Sequence, residues 1–297
     1  MQNPLKNVKI ALGNALSKTA VPSGLRPLLG SNLAVRAVSG VGLVAVLLGL
    51  LFVGGAWWHA LAALIALGSL HEFYAMHAKL PIADRVIGAI AALVILLTSE
   101  TFAQAALLPV LGLTCFALYF VELARRQISG SSTSAGDVGP IMLGIIYAVL
   151  PWYCMIRLRS LPDPLGFAVV LSVFLCTWSC DVFAYLTGSR WGSVKVCPHI
   201  SPNKSLEGFI GGFAASALCG ALCALCFGFG TLPFLVTGLA CGTLGQLGDL
   251  VESLIKRENG VKDSGNVIPG HGGFLDRFDS VLINALCAWC IWWTALL

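Results

Sequence analysis

Between two apolar runs lies GDLVESLIKRENGVKDSGNVIPGHGGFLDRFDS, from Gly248 to Ser280. It gathers Asp249, Glu252, Lys256, Arg257, Lys262, Asp263, His271, Asp276, Arg277 and Asp279, in a chain where only 11% of residues are charged. Carboxylates are hard oxygen ligands for cations, and arginine and lysine pair with phosphate oxygens. Glycine lets the backbone approach an anion closely, although turn geometry alone also explains it. Charge near lipid is costly, so a membrane protein that concentrates acids, bases and a glycine-rich loop in one place is expected to do chemistry there.

A second polar segment, DVFAYLTGSRWGSVKVCPHISPNKSLEG, runs from Asp181 to Gly208. Asp181 stands near the end of an apolar run, and Arg190 and Lys195 follow in a glycine-containing loop. Ser201, Pro202, Asn203, Lys204 and Ser205 then lead into a predicted helix. Ser205 suits an N-cap, with Glu207 and Gly208 in the first turn. The free N–H groups of that helix start, with Lys204 beside them, form a candidate anion cradle. A basic loop that merely obeys the positive-inside rule gives the same pattern, and this segment alone does not separate the two.

The elements that must position these residues are set by composition. Hydrophobic residues make up 57% of the 297, and mean hydropathy is +0.86. Soluble domains average about 45–50% apolar with about 25% charged residues, so the chain is read as an all-α, polytopic integral membrane protein. Net charge is +4 and no basic run interleaves with aromatics, so nucleic acid is not an expected partner. Most of the 11 cysteines fall inside apolar runs, where they behave as small packing residues. Cys219, Cys223 and Cys226 share a predicted helix face, but no histidine or CxxC partner stands at zinc spacing.

About 20 apolar residues cross the hydrocarbon core. About nine spans are expected, over 35–54, 56–77, 86–101, 103–124, 138–156, 165–187, 207–229, 231–251 and 280–297. The third is interrupted by Thr98, Ser99 and Glu100, and the last carries Trp289, Trp292 and Trp293 as an interfacial group. Residues 1–34 form a basic N-terminal arm ahead of the membrane domain, 35–297. Pro4, Pro22 and Pro27 interrupt this arm, and residues 5–18 fit either a surface-lying amphipathic helix or a cytoplasmic tail. With the N-terminus inside, the loops that hold both polar segments are cytoplasmic, and Arg157 and Arg159 are the bases left on the opposite side. His71, Glu72 and Glu122 are expected to pair with one another or with interfacial bases. Glycines from Gly208 to Gly220 and from Gly238 to Gly248 suit close helix packing or a dimer seam.

Ser253, Lys256-Arg257, Lys262-Asp263, Gly265, Pro269-Gly270-His271-Gly272-Gly273, Asp276-Arg277 and Asp279 together resemble the signature of the phosphatidate cytidylyltransferase (CDP-diacylglycerol synthase) family. Gly248, Asp249 and Glu252 are similar to the residues that precede that signature. Asp181, Tyr185, Ser201-Pro202, Lys204-Ser205 and Glu207-Gly208 resemble the family's upstream block. Asn203 stands where many relatives carry lysine, and Val182-Phe183 where some carry Thr-Gly. The likeness is concentrated in the C-terminal half.

The resemblance implies transfer of the cytidylyl group of CTP to phosphatidate, giving CDP-diacylglycerol and pyrophosphate for phospholipid synthesis. The lipid phosphate lies at the bilayer surface and CTP comes from the cytoplasm, so the site is expected at the cytoplasmic face of a bacterial-type inner membrane. Two anionic reactants require charge neutralisation, by magnesium and by basic side chains. Asp249, Asp276 and Asp279 are the expected Mg2+ ligands, with a second cation such as K+ allowed by the resemblance. Lys256, Arg257, Lys262 and Arg277 are candidates for the phosphates, and Ser253 for a cation or phosphate oxygen. Lys204, Ser201, Asp181, Gly272 and Gly273 are placed with the substrates. His271 either donates to a phosphate oxygen or fixes the loop. A homodimer is expected from the family. Two other readings stand beside this one. A CTP-dependent polyprenol or lipid-alcohol kinase would release CDP. A transporter would need a midplane site, and the chain shows no internal repeat.

Overall fold

The computed structural model describes residues 26–99, 107–130, 135–268 and 272–297. Residues 5–18, read as a surface helix or a cytoplasmic tail, lie outside the described residues. The helices are α1 (Arg26–Val53), α2 (Gly55–Met76), α3 (Ile82–Leu97), α4 (Leu107–Ser129), α5 (Val138–Gly144), α6 (Leu150–Arg159), α7 (Leu165–Trp191), α8 (Leu206–Phe227), α9 (Thr231–Glu258) and α10 (Leu275–Leu296). Among the described residues, six stretches are long and apolar enough to cross a membrane: Leu107–Ile128, Val138–Arg159, Leu165–Trp191, Leu206–Phe227, Thr231–Glu258 and Leu275–Leu296.

Several features differ from the sequence expectation, the limits of α3 and α10 included, and three of the differences have local reasons. Helix α1 begins at Arg26 rather than near 35, because Pro27 falls in its first turn, where a missing N–H costs nothing. The run expected at 138–156 is broken by a π turn over Ile145–Val149. Pro151 follows at the start of α6 and cannot donate to the carbonyl four residues back, which locally opens the helix. Helix α9 continues to Glu258 instead of stopping near 251. Lys256 and Arg257 occupy its last turn, where cations suit the C-terminal dipole.

The tightest packing links α7, α8, α9 and α10 in chain order, and glycine makes it possible. A Cβ on Gly220 would lie 2.7 Å from the Phe234 carbonyl oxygen, and one on Gly238 would lie 2.7 Å from that of Ser216. Gly212 and Gly208 meet α7 in the same way, at the carbonyls of Cys180 and Ala184. These glycine faces are therefore occupied by neighbouring helices of the same chain. Ser216 Oγ donates to the Gly238 carbonyl at 2.8 Å across the α8–α9 contact. Trp58, Trp152, Phe73, Phe174, Phe234 and Trp292 fill the interior. Large apolar side chains such as Leu225 (79% exposed) and Leu232 (71%) face outward, as suits a lipid-facing surface.

Candidate active site

The two polar segments meet. Between α7 and α8, β1 (Lys195–Cys197) and β2 (Ser201–Ser205) form an antiparallel pair. Ser205 then caps α8, accepting the Gly208 N–H at 3.2 Å. This turn directs Lys204 across to α9, where Nζ lies 2.6 Å from Asp249 Oδ2 and donates to the Gln246 carbonyl at 3.2 Å. A cavity of about 660 Å3 opens at this junction. Asp181, Tyr185 and Gly188 of α7, Lys195, Lys204 and Asn203 of the hairpin, and Asp249 of α9 line it. Ser201 sits at the start of β2, paired with Cys197, and is not among the lining residues.

Asp249, Glu252 and Asp279 each bring a carboxylate oxygen to a common point, all within 4.8 Å of one another. Three carboxylates so close repel unless positive charge compensates them. Glu252 is 1% exposed. Its Oε2 meets Lys256 Nζ at 2.5 Å, while Oε1 is buried with no hydrogen-bond partner among the described residues. A buried oxygen without a donor costs free energy that a bound cation would recover. An all-oxygen set is the type that holds magnesium. The residues present therefore fit a divalent cation.

Asp276 is differently employed. Its Oδ1 pairs with Lys256 Nζ at 2.7 Å. Its Oδ2 accepts the N–H groups of Ser264 and Gly273, each at 2.9 Å. Sequence reading placed Asp276 among the ligands; here its oxygens hold the glycine-rich loop against α9, and coordination would require release from these donors. Ser253 Oγ lies 3.5 Å from Asp249 Oδ1, at the edge of the acidic group.

The loop has a second anchor. Phe274 offers no side-chain cap to α10. Glu72 of α2 does so instead, accepting the Phe274 N–H on Oε1 and the Leu275 N–H on Oε2, both at 2.9 Å. The expected pairing of Glu72 with a base is replaced by this service to free helix-start donors. Glu122 does pair with bases, Arg125 at 3.2 Å and Arg126 at 2.9 Å. The Ser264 hydroxyl stands 2.9 Å from Asp276 Oδ2 and 3.1 Å from Glu72 Oε2, and its single proton serves one at a time. Gly265 and Gly273 are required here, since a Cβ on either would strike the Glu72 carboxylate. Gly272 has φ of +86°, and its carbonyl accepts the Ile268 N–H at 2.9 Å.

Arg257, Lys262 and Arg277 are exposed and do not line the cavity. Arg257 donates to the Val261 carbonyl at 3.0 Å. His271, with Pro269 and Gly270, lies outside the described residues. The sequence reading missed Glu252 as a member of the acidic group, although its position three residues after Asp249 puts both on one helix face. It also missed the capping by Glu72 and the Tyr147 hydroxyl, which is buried without a hydrogen-bond partner among the described residues.

Residues 34–295 match the family model described as the cytidylyltransferase family. A phosphatidate cytidylyltransferase of Staphylococcus haemolyticus (strain JCSC1435) is 34% identical over 252 residues, covering 84% of this chain and 94% of the relative. That of Staphylococcus aureus (strain COL) is 34% identical over 251 residues, with the same two coverages. That of Staphylococcus epidermidis (strain ATCC 12228 / FDA PCI 1200) is 34% identical over 252. Two polar segments brought to one cavity lined by Asp181, Asp249, Lys195 and Lys204, and a family match over residues 34–295, lead to one assignment: the chain belongs to the cytidylyltransferase family.

Proposed function

We propose that this protein transfers the cytidylyl group of CTP to phosphatidate at the cavity where Lys204 meets Asp249. The observation that carries the placement is the 2.6 Å contact between those two residues, which joins polar segments far apart in sequence. The enzyme class follows from family membership; the site and its workings are our reading. A phosphate oxygen of phosphatidate attacks the α-phosphorus of CTP, and the bond to the β-phosphate oxygen breaks as pyrophosphate leaves. No enzyme nucleophile is needed, because the lipid phosphate is itself the nucleophile. Catalysis then rests on alignment and on spreading negative charge.

Asp249, Glu252 and Asp279 would hold a magnesium ion, which when bound supplies charge neutralisation to the phosphates. A second cation, K+ included, would involve Asp276 only after its release from Lys256. Lys204 and Lys195 line the cavity and supply positive charge to phosphate oxygens. Arg257, Lys262 and Arg277 lie outside it at the loop rim, where they extend the same field. Asp276 and Glu72 hold the glycine loop in place, with Gly272 and Gly273 beside them. Asp181 faces the cavity from α7 and is proposed to orient the nucleotide. Helices α1, α2 and α3 would complete a nine-span topology. On that topology the site faces the cytoplasm of a bacterial inner membrane, where CTP is available.

Purified protein incubated with labelled CTP and phosphatidate is expected to give CDP-diacylglycerol and pyrophosphate. Release of CDP without a CDP-lipid would assign a kinase instead, and absence of any turnover across magnesium concentrations would leave transport.

A further inference from the structure

We propose that a second cleft, between the C-terminal ends of α6 and α10, binds the phosphate of an anionic phospholipid. The cleft has a volume of about 230 Å3 and is lined by Arg157, Ser160, Leu161, Trp289, Trp293 and Leu296, among others. Asp276 and Trp293 mark opposite ends of α10, roughly 25 Å apart at helical rise. The cleft therefore lies at the membrane interface remote from the acidic site.

Arg157 is an exception to the charge pattern of the chain, and its neighbour shows why it needs its own explanation. Arg159 is fully employed: Nη1 pairs with Asp163 at 2.7 Å, and Nε donates to the Leu51 carbonyl at 2.9 Å. Arg157 is not. One Nη1 hydrogen reaches the Ser99 carbonyl at 2.9 Å. Nε is buried and has no hydrogen-bond partner among the described residues. A guanidinium carries five N–H donors in a fixed fork suited to a phosphate. Arg157 does not turn back onto the last carbonyls of α6, as a residue kept only for the helix dipole would. Its Cζ instead lies 5.8 Å from the Trp289 ring centre.

The remaining walls select the ligand. Trp289 and Trp293 stack with centres 5.6 Å apart, and Trp293 is 41% exposed. Indoles at this depth suit the headgroup boundary. The cleft has room for a phosphodiester head, while acyl chains would run down the apolar outer faces of the helices. Among the described residues, no aspartate or glutamate lines it. The ammonium of a zwitterionic head would find no acidic side chain, and the Trp289 face is already covered by Arg157. A net-negative head is favoured.

The test reads lipid retention, not turnover, so it stands or falls independently of the reading of the acidic site. Protein purified in detergent is delipidated and titrated with phosphatidylglycerol or phosphatidylcholine, with native mass spectrometry and thermal unfolding as readouts. The wild type is expected to retain phosphatidylglycerol and to gain several degrees in Tm from it, with phosphatidylcholine much weaker. Arg157→Gln should reduce phosphatidylglycerol retention at least fivefold. Trp293→Ala, which leaves the Ser99 contact intact, should also weaken it while CTP turnover stays normal. Equal retention by the wild type and both variants, or equal binding of the two lipids, would overturn the proposal.

Discussion

Lys256 of α9 and Asp276 of α10 are joined by a 2.7 Å ion pair, and the same ammonium lies 2.5 Å from Glu252. One cation thus stands between the carboxylate that anchors the glycine loop and a carboxylate of the acidic triad. Asp276→Asn keeps the shape but weakens the hold on Lys256 and on the loop N–H groups. Turnover is expected to fall at least 100-fold, about 2.7 kcal/mol in barrier, with folded, membrane-inserted protein. The magnesium concentration for half-maximal activity should stay near the wild-type value. A large shift in that midpoint would place Asp276 among the ligands.

Glu72 gives a prediction at a distance from the chemistry. It accepts two N–H groups at the start of α10. Glu72→Ala leaves these donors without their partner in a buried place, a cost of about 1–3 kcal/mol. A lower Tm in detergent and a loss of activity are expected together. Gly273→Ala should reproduce the activity loss, because its Cβ would push against the same carboxylate. Normal activity in both variants would show that the loop does not depend on this cap.

The helices and the reactive segments were legible because both signals are local. Apolar runs of about 20 residues report a membrane solvent directly, and the Ser205 cap could be read from its place before a helix start. The convergence of Lys204 on Asp249 depends on how α7, α8 and α9 pack, which periodicity does not encode. Glu72 was visible as an acid in an apolar helix, but its partners lie some 200 positions later, and a backbone N–H leaves no mark in sequence. Asp276 read as a ligand because it stands at a helix–loop boundary and matches an acidic position of the family signature; only the positions of Lys256, Ser264 and Gly273 show how its oxygens are used. The π turn follows from Pro151 in hindsight, since a proline in an apolar run signals an opened helix without saying what it exposes.

That π turn carries Tyr147. Its hydroxyl is buried without a hydrogen-bond partner among the described residues, and the charges of Glu252, Asp279 and Asp249 bear on it. Its ring packs on Phe73, with centres 5.9 Å apart, which holds the phenol oxygen in place. A donor held beside the acidic triad suits a water or phosphate oxygen brought there with the substrates. Tyr147→Phe removes only that donor. Expected is roughly a tenfold fall in kcat, about 1.4 kcal/mol, with little change in KM for CTP and an unchanged Tm. A KM effect alone would assign the hydroxyl to ground-state binding.

Lys204 and Glu252 separate nucleotide binding from cation binding. Lys204→Met removes a positive charge from the cavity and frees Asp249 Oδ2, which Lys204 holds at 2.6 Å. KM for CTP should rise about tenfold while the cation midpoint falls or stays level, since a ligand oxygen has lost its competitor. Glu252→Gln should behave in the opposite sense. Its buried Oε1 would become part of a neutral amide with weaker pull on a cation, so the magnesium midpoint should rise about tenfold and excess magnesium should restore part of the rate. Isothermal titration with magnesium alone would register the same weakening without turnover. Should magnesium bind Glu252→Gln and the wild type equally, the acidic group would hold no cation and Lys256 alone would balance its charge.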